Sequence, residues 1–390
     1  MKPIRTALAA ALALGLGQAA VAQTQGVSAT EVVVGSVTDL SGIFAAVGTP
    51  SINGALLRFE QANAAGGVHG RQIRFVVEDM GYQLPRATQA YNKLVNRDRV
   101  FAMLLSLGTP HNLAGFQIMD PKGIFNISPM TAAIEMLSEP VANKFTLLNT
   151  YYEQTTEGMR YLRETYGAER VCAMYLPTDF GIEIANATKN EAAGMGLTFV
   201  SETTHKPDEQ DFVGAVQKLR ADGCQIVTMA LGVRAGITVV GTAKQLGWTD
   251  VKFLATSAGF LEAVAAVPGG VTDGLYAAAG WVDLQARRTD PAPAKFIADY
   301  EARFGHPATG FAMLGYSAAD MFLRALDNAG PDLTQDSFRA GMFALNYFDD
   351  LLDAQIAYGE GNHQGTSMVT ISRVEGGFWK LIDRKEASGS

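Results

Sequence analysis

The sequence predicts an α/β protein built as two doubly wound lobes, and three observations carry that reading. A β-α-β unit opens the chain, with a strand over 32–37, a helix over 52–63 and a strand over 73–79. The same alternation restarts after residue 150. Finally, 390 residues are too many for one hydrophobic core. A content of 48% hydrophobic and 18% charged residues is that of a globular chain.

In the first unit, Ile52, Ala55, Leu56, Phe59 and Ala62 recur at helical spacing and make one core-facing stripe. Thr49, Pro50 and Ser51 offer a cap and a first-turn proline, and Gly66-Gly67 stops the helix before a turn at Gly70. Further strands are predicted over 101–106, 123–128 and 145–149, with helices over 85–96 and 112–119. That is a parallel sheet with helices on both faces. The second unit reads as helices over 154–166, 184–195, 212–221 and 235–246. They alternate with strands over 171–176, 197–202, 226–231 and 253–257. A strand from 275 to 281 follows, then helices over 291–304 and 315–329. The glycine-rich stretch 358–365 leads to a closing strand over 368–373. A tight turn at Glu375-Gly-Gly377 joins it to a last strand over 378–382. The polar tail 386–390 is predicted disordered.

The first 22 residues have another purpose. Lys2 and Arg5 precede a short apolar run over 7–17, and Ala20-Val-Ala22 is a small-x-small cleavage signal, so the mature chain is expected to begin at Gln23. The run is too short to cross a bilayer about 30 Å thick. No cysteine follows it to carry a lipid, and no later stretch predicts direct membrane insertion. Cleavage removes two of the 31 basic residues and none of the 39 acidic ones. An acidic chain without a basic cluster is a poor partner for nucleic acid. Cys172 and Cys224 each begin an apolar run. They can pair in an oxidising compartment, but bridging adjacent strands strains the geometry, which favours two buried free thiols.

Enzymatic signatures are missing: there is no HExxH, GxSxG, GxxxxGK or strand-linked GxGxxG. The five histidines, His69, His111, His205, His306 and His363, lack ligand spacing, and Asp349, Asp350 and Asp353 read as solvated loop carboxylates. The chain is read as a non-enzyme with no metal and no cofactor.

Several short motifs fall in a specific order: Thr38-Asp-Leu-Ser-Gly42, Asn63 to Arg71, Asp79 with Pro85 and Ala87, Gly123 to Pro129, Asp179-Phe-Gly181, and Asp211-Phe212 leading to Leu219-Arg220. Together they resemble the leucine/isoleucine/valine-binding-protein-like family, the class I periplasmic solute-binding proteins of ABC importers. The resemblance covers essentially the whole mature chain. It implies two lobes joined by a three-strand hinge, with crossings near 148–152, 277–281 and 361–367. The lobes would be 23–149 with 278–362 and 150–277 with 363–385, the ligand lying between them.

The resemblance also implies site residues. The loop after the strand over 101–106 carries the ligand carboxylate in this family, which puts Ser106 and Thr109 at the ligand, Thr109 matching a ligand-binding serine. The second carboxylate loop matches Met130 and Thr131, but the family's ligand-binding threonine falls on Ala132. Amino-acid binders use acidic residues where this chain has Tyr151 and Ser257, and a tyrosine where it has Phe180. An ammonium buried without a carboxylate costs several kcal/mol, so an ordinary α-amino acid, branched-chain ones included, is not the expected ligand. Arg234 follows a strand at the lip of the second lobe, where it would either pair with a carboxylate or face solvent. Phe44, Tyr82, Phe180, Phe260, Trp281 and Phe311 fall in or near cleft loops, at most half of them expected on the ligand. Such a cleft suits an aromatic or otherwise apolar carboxylic acid. The resulting expectation is a monomeric periplasmic binding protein that closes on such an acid and delivers it to importer permeases. The alternative is a sensor that presents a ligand to a membrane receptor.

Overall fold

A computed structural model describes residues 24–386. The expected leader over 1–22, its cleavage point at Gln23 and the tail residues 387–390 lie outside the described residues.

The chain begins with β1 (Glu31–Thr38), α1 (Ala45–Ala64), β2 (Gln72–Asp79), α2 (Leu84–Asn92), β3 (Ala102–Leu104), α3 (Thr109–Met119), β4 (Phe125–Ile127) and β5 (Lys144–Phe145). These strands form a parallel sheet in the order β2-β1-β3-β4-β5. Val32, Val33, Val34 and Val37 of β1 are all buried, because a parallel strand covered by helices on both faces needs a near-continuous apolar run. Strand order reverses between β1 and β3. The crevice at their carboxyl ends is where open α/β sheets receive ligands.

The second layer set follows: α4 (Tyr151–Tyr166), β6 (Arg170–Tyr175), α5 (Asp179–Ala192), β7 (Thr198–Thr204), α6 (Val213–Ala221), β8 (Ile226–Ala230), α7 (Val233–Gln245), β9 (Lys252–Ala255), α8 (Glu262–Ala265) and β10 (Tyr276–Ala279). The chain then returns to the first sheet's side as α9 (Pro291–Phe304), α10 (Gly310–Ala329), α11 (Gln335–Phe343) and the hairpin β11 (Asn346–Asp349)–β12 (Ala354–Ala357). It ends with β13 (Met368–Glu375) and β14 (Phe378–Glu386), both antiparallel additions to the second sheet. That sheet runs β14-β13-β10-β9-β8-β6-β7, with its own reversal between β6 and β8.

The chain thus passes between the sheets three times. The first and third passages are tied together: Thr146 N–H donates to His363 O at 2.9 Å, and Gly365 N–H to Thr146 O at 2.9 Å. α10 returns onto α1 at a contact only glycine permits. A Cβ on Gly54 would lie 1.9 Å from Ala312 O, and one on Gly315 1.9 Å from Ser51 O.

Four readings need correction. α1 begins at Ala45, so Thr49 is not its cap and Pro50 lies inside it. There the hydroxyl of Ser51 donates to Val47 O at 2.7 Å. α11 and the β11–β12 hairpin were not predicted. Glu386, expected in the disordered tail, ends β14 opposite Met368. Cys172 and Cys224 form a disulfide with their Cα atoms 5.8 Å apart. The objection to an adjacent-strand bridge does not apply, since Cys224 precedes β8 and it is Val227 that stands opposite Cys172.

Candidate functional site

Loops at the carboxyl ends of the first sheet's strands carry Phe44, Tyr82, Thr109 and Ser128 to Ala132 into a cavity of about 740 Å3, mouth included. The second sheet's side supplies Phe180, Ser257 and Ala258. Crossing segments supply Thr146, Leu147, Leu148 and Trp281, and α10 supplies Phe311 and Leu314. Eight of the ten expected site residues therefore meet here: Phe44, Thr109, Met130, Thr131, Tyr151, Phe180, Ser257 and Phe311.

The loops that bear the rings are fixed by two aspartates. Asp39, fully buried, accepts backbone N–H groups of Gly42 at 2.5 Å and Phe44 at 2.8 Å. Asp79 accepts from Leu40 N–H and Gly81 N–H, both at 2.9 Å, and from the Ser41 hydroxyl at 2.7 Å. Phe44 and Tyr82 project from the frame so made, with centroids 4.7 Å apart. Phe44 meets Phe180 edge-on at 6.2 Å, and Phe180 meets Tyr151 at 5.1 Å, so rings from both sheets' loops close one side of the cavity. Trp281 packs edge-on against Phe311 at 5.5 Å.

Polar chemistry is concentrated at the amino end of α3. Thr109 and Thr131 share a hydrogen bond of 2.7 Å between hydroxyls, and Tyr151 lies beside Thr131. Burial pushes the Tyr151 phenol up to about 12, so it keeps its proton at neutral pH. The Thr109 and Thr131 hydroxyls carry two protons, and their mutual bond uses one. One O–H is left to donate to a ligand oxygen. The helix end itself favours an anion, since its first N–H groups have no partner within the helix. Behind the loop, burial lowers the imidazole of His111 to about 4, leaving it neutral against the Tyr82 ring at 4.5 Å. No lysine, arginine, aspartate or glutamate is among the described residues lining the cavity.

Two expected residues stay out of it. Ser106 is fully buried, and its hydroxyl accepts Val37 N–H at 3.3 Å. Its carbonyl accepts Met130 N–H at 2.8 Å and Asn112 Nδ2 at 3.0 Å. It ties the loop before α3 to the one at Met130 and does not face the cavity. Arg234 is exposed on α7, where Val233, Gly236 and Ile237 take the inward face and the helical rotation turns position 234 away. Of the six rings, only Phe260 is absent from the lining. It packs between Trp281 at 5.5 Å and Trp379 at 4.9 Å. Sequence reasoning missed Val47, Leu107, Leu147, Leu148 and Leu314, since an apolar residue that lines a cleft looks in sequence like any core residue.

At the rim, Glu183 of α5 bridges the two sides. Its Oε1 accepts Ile134 N–H and Tyr152 N–H, each at 3.2 Å, and Glu135 lies beside it. Burial, reinforced by Glu135, pushes the Glu183 carboxyl up to about 9, so it is protonated at neutral pH.

A cleft between two doubly wound sheets, floored by the crossings and lined for one small molecule, defines a solute-binding protein. A profile of the periplasmic binding protein family matches residues 31–378, and the chain belongs to that family. It is 24% identical over 307 residues to the leucine-, isoleucine-, valine-, threonine- and alanine-binding protein of Pseudomonas aeruginosa, covering 78% of this chain and 81% of the relative. Among solved structures it resembles a fatty acid ABC transporter substrate-binding protein from Thermomonospora curvata (TM-score 0.84, 23% identity, 94% and 95% of the two chains). It also resembles an R. palustris solute-binding protein in complex with benzoate (TM-score 0.80, 17%, 91% and 96%). A Thermus thermophilus branched-chain amino acid ABC transporter protein with bound valine is similar too (TM-score 0.83, 17%, 92% and 98%). The family is one of periplasmic binding proteins, which implies a periplasmic place and a small-molecule ligand.

Proposed function

We propose that this protein captures a small aromatic or apolar carboxylic acid in the periplasm and delivers it, by hinge closure, to the permeases of an ABC importer. One observation carries the reading: a hydroxyl cluster at a helix amino end faces a largely apolar, ring-lined cavity with no charged side chain among its described lining residues. A carboxylate finds donors there. An α-ammonium would find no carboxylate and would cost several kcal/mol to bury. The hinge comprises the segments near 148–152, 277–281 and 361–367, and the working unit is a monomer with one site. The ligands of the structural relatives, fatty acid and benzoate beside valine, span the same choice.

A thermal-shift panel tests the ligand class. At about one hundred times its dissociation constant, a ligand adds roughly 2.7 kcal/mol of stability. Benzoate, phenylalkanoates or straight-chain acids should raise the melting temperature, and leucine, valine and phenylalanine should not. A response to the amino acids with silence from every simple acid would overturn the proposal.

A further inference from the structure

A second cavity, about 370 Å3 with its mouth, adjoins the first, and Phe180 and Ala258 line both. It lies at the carboxyl ends of β8 and β9, the edge of the sheet at which open α/β folds receive ligands. Its walls include Met229, Leu231, Ile237, Val264 and Leu275, and no polar side chain is among the described residues lining it. Val233 and Ile237 turn toward it from α7 yet stay only half-buried, so their apolar surface faces a space the chain does not fill. A Cβ added at Gly236 would meet no atom within 4 Å. A water there would find no polar side chain to hold it.

We infer that this space is a branch of the ligand site that takes the apolar tail of an acid longer than benzoate, with Phe180 setting the admissible length. The inference rests on the carboxylate reading above. Three positions fit it. The hydroxyls that would hold the head, Thr109, Thr131 and Tyr151, gather at the end of the cavity near α3. The wall shared with the branch is Phe180 and Ala258, and the branch itself has no polar side chain among its described lining to hold a second head. Phe180 is 3% exposed and packs against the rings of Phe44 and Tyr151, and turning its ring to join the two spaces breaks no hydrogen bond. The ligand class is therefore a medium-chain or aryl-alkyl carboxylic acid.

Titration calorimetry of the mature protein with benzoate, 3-phenylpropionate, 5-phenylpentanoate and straight-chain acids from butyrate to decanoate tests this. Affinity should rise about fourfold for each methylene that passes Phe180. Gly236→Leu and, independently, Ile237→Phe place bulk in the branch and should flatten that rise, lowering the ratio of long-acid to short-acid affinity. Two variants are used so that a folding failure in one leaves the other decisive. Short acids that bind with no gain from added length would overturn the branch and leave the carboxylate reading standing. A rise that neither variant flattens would place the tail elsewhere and overturn it too. Silence from every acid would overturn both.

Discussion

Replacing Glu183 with glutamine should stabilise the protein at neutral pH. Glu183 is buried, 5% exposed; its Oε1 accepts Ile134 N–H and Tyr152 N–H at 3.2 Å, and its Oε2 accepts the same Ile134 N–H at 3.3 Å. A glutamine can keep Oε1 and both 3.2 Å bonds in place, giving up only the longer Oε2 contact, and turn its amide toward the neighbouring Glu135 carboxylate. The wild-type carboxyl, ordinarily near 4.5, is pushed up to about 9 in the folded protein. The sign follows directly: a raised folded-state value gives stability that is full below about 4.5 and lost as pH rises toward 9. At pH 7, holding such a group protonated costs about 3 kcal/mol at 1.36 kcal/mol per pH unit, and the variant escapes that cost. Urea unfolding of both proteins at pH 5 and pH 8 reads the effect. The advantage of Glu183→Gln should be small at pH 5 and grow with pH. An advantage that does not grow, or a variant less stable at pH 8, would refute the reasoning.

Thr109→Val and Thr131→Val should each weaken acid binding by about 1.5–3 kcal/mol, the worth of a hydrogen bond to a charged group, as titration calorimetry would show. Arg234→Ala should leave acid affinity within about twofold, because Arg234 is exposed and faces away from both cavities. Cys172→Ser with Cys224→Ser opens a loop of sequence separation 52 and should cost about 2–4 kcal/mol, measurable as a lower urea midpoint than the oxidised wild type's.

The fold was legible where periodicity and burial coincide. β1 reads as a buried parallel strand because Val32 to Val34 and Val37 leave no polar face. The start of α1 was not legible, since a proline at position 50 usually marks a first turn and here sits five residues into the helix. α11 carried a weaker signal, a Thr334–Ser337 capping box without the usual glutamate or glutamine. Within the site, motif reasoning found Thr109, Thr131 and Tyr151 because each replaces or matches a polar group. It misplaced Ser106 because a hydroxyl that secures a loop and one that meets a ligand look alike in sequence. Arg234 failed for a different reason: position after a strand says nothing of which way a helix turns its second residue.

The two aspartate-held loops separate what is kept from what can vary. Asp39 and Asp79 bind backbone N–H groups, and such groups exist whatever side chain follows, save proline. The rings at positions 44 and 82 can then be exchanged without dismantling the frame that aims them. The stretch from Thr38 to Gly42 by which the chain is recognised is mounting hardware. Phe44, which lines the cavity, sits just beyond its end, so a match to that stretch predicts the frame of the cleft and is silent about its lining.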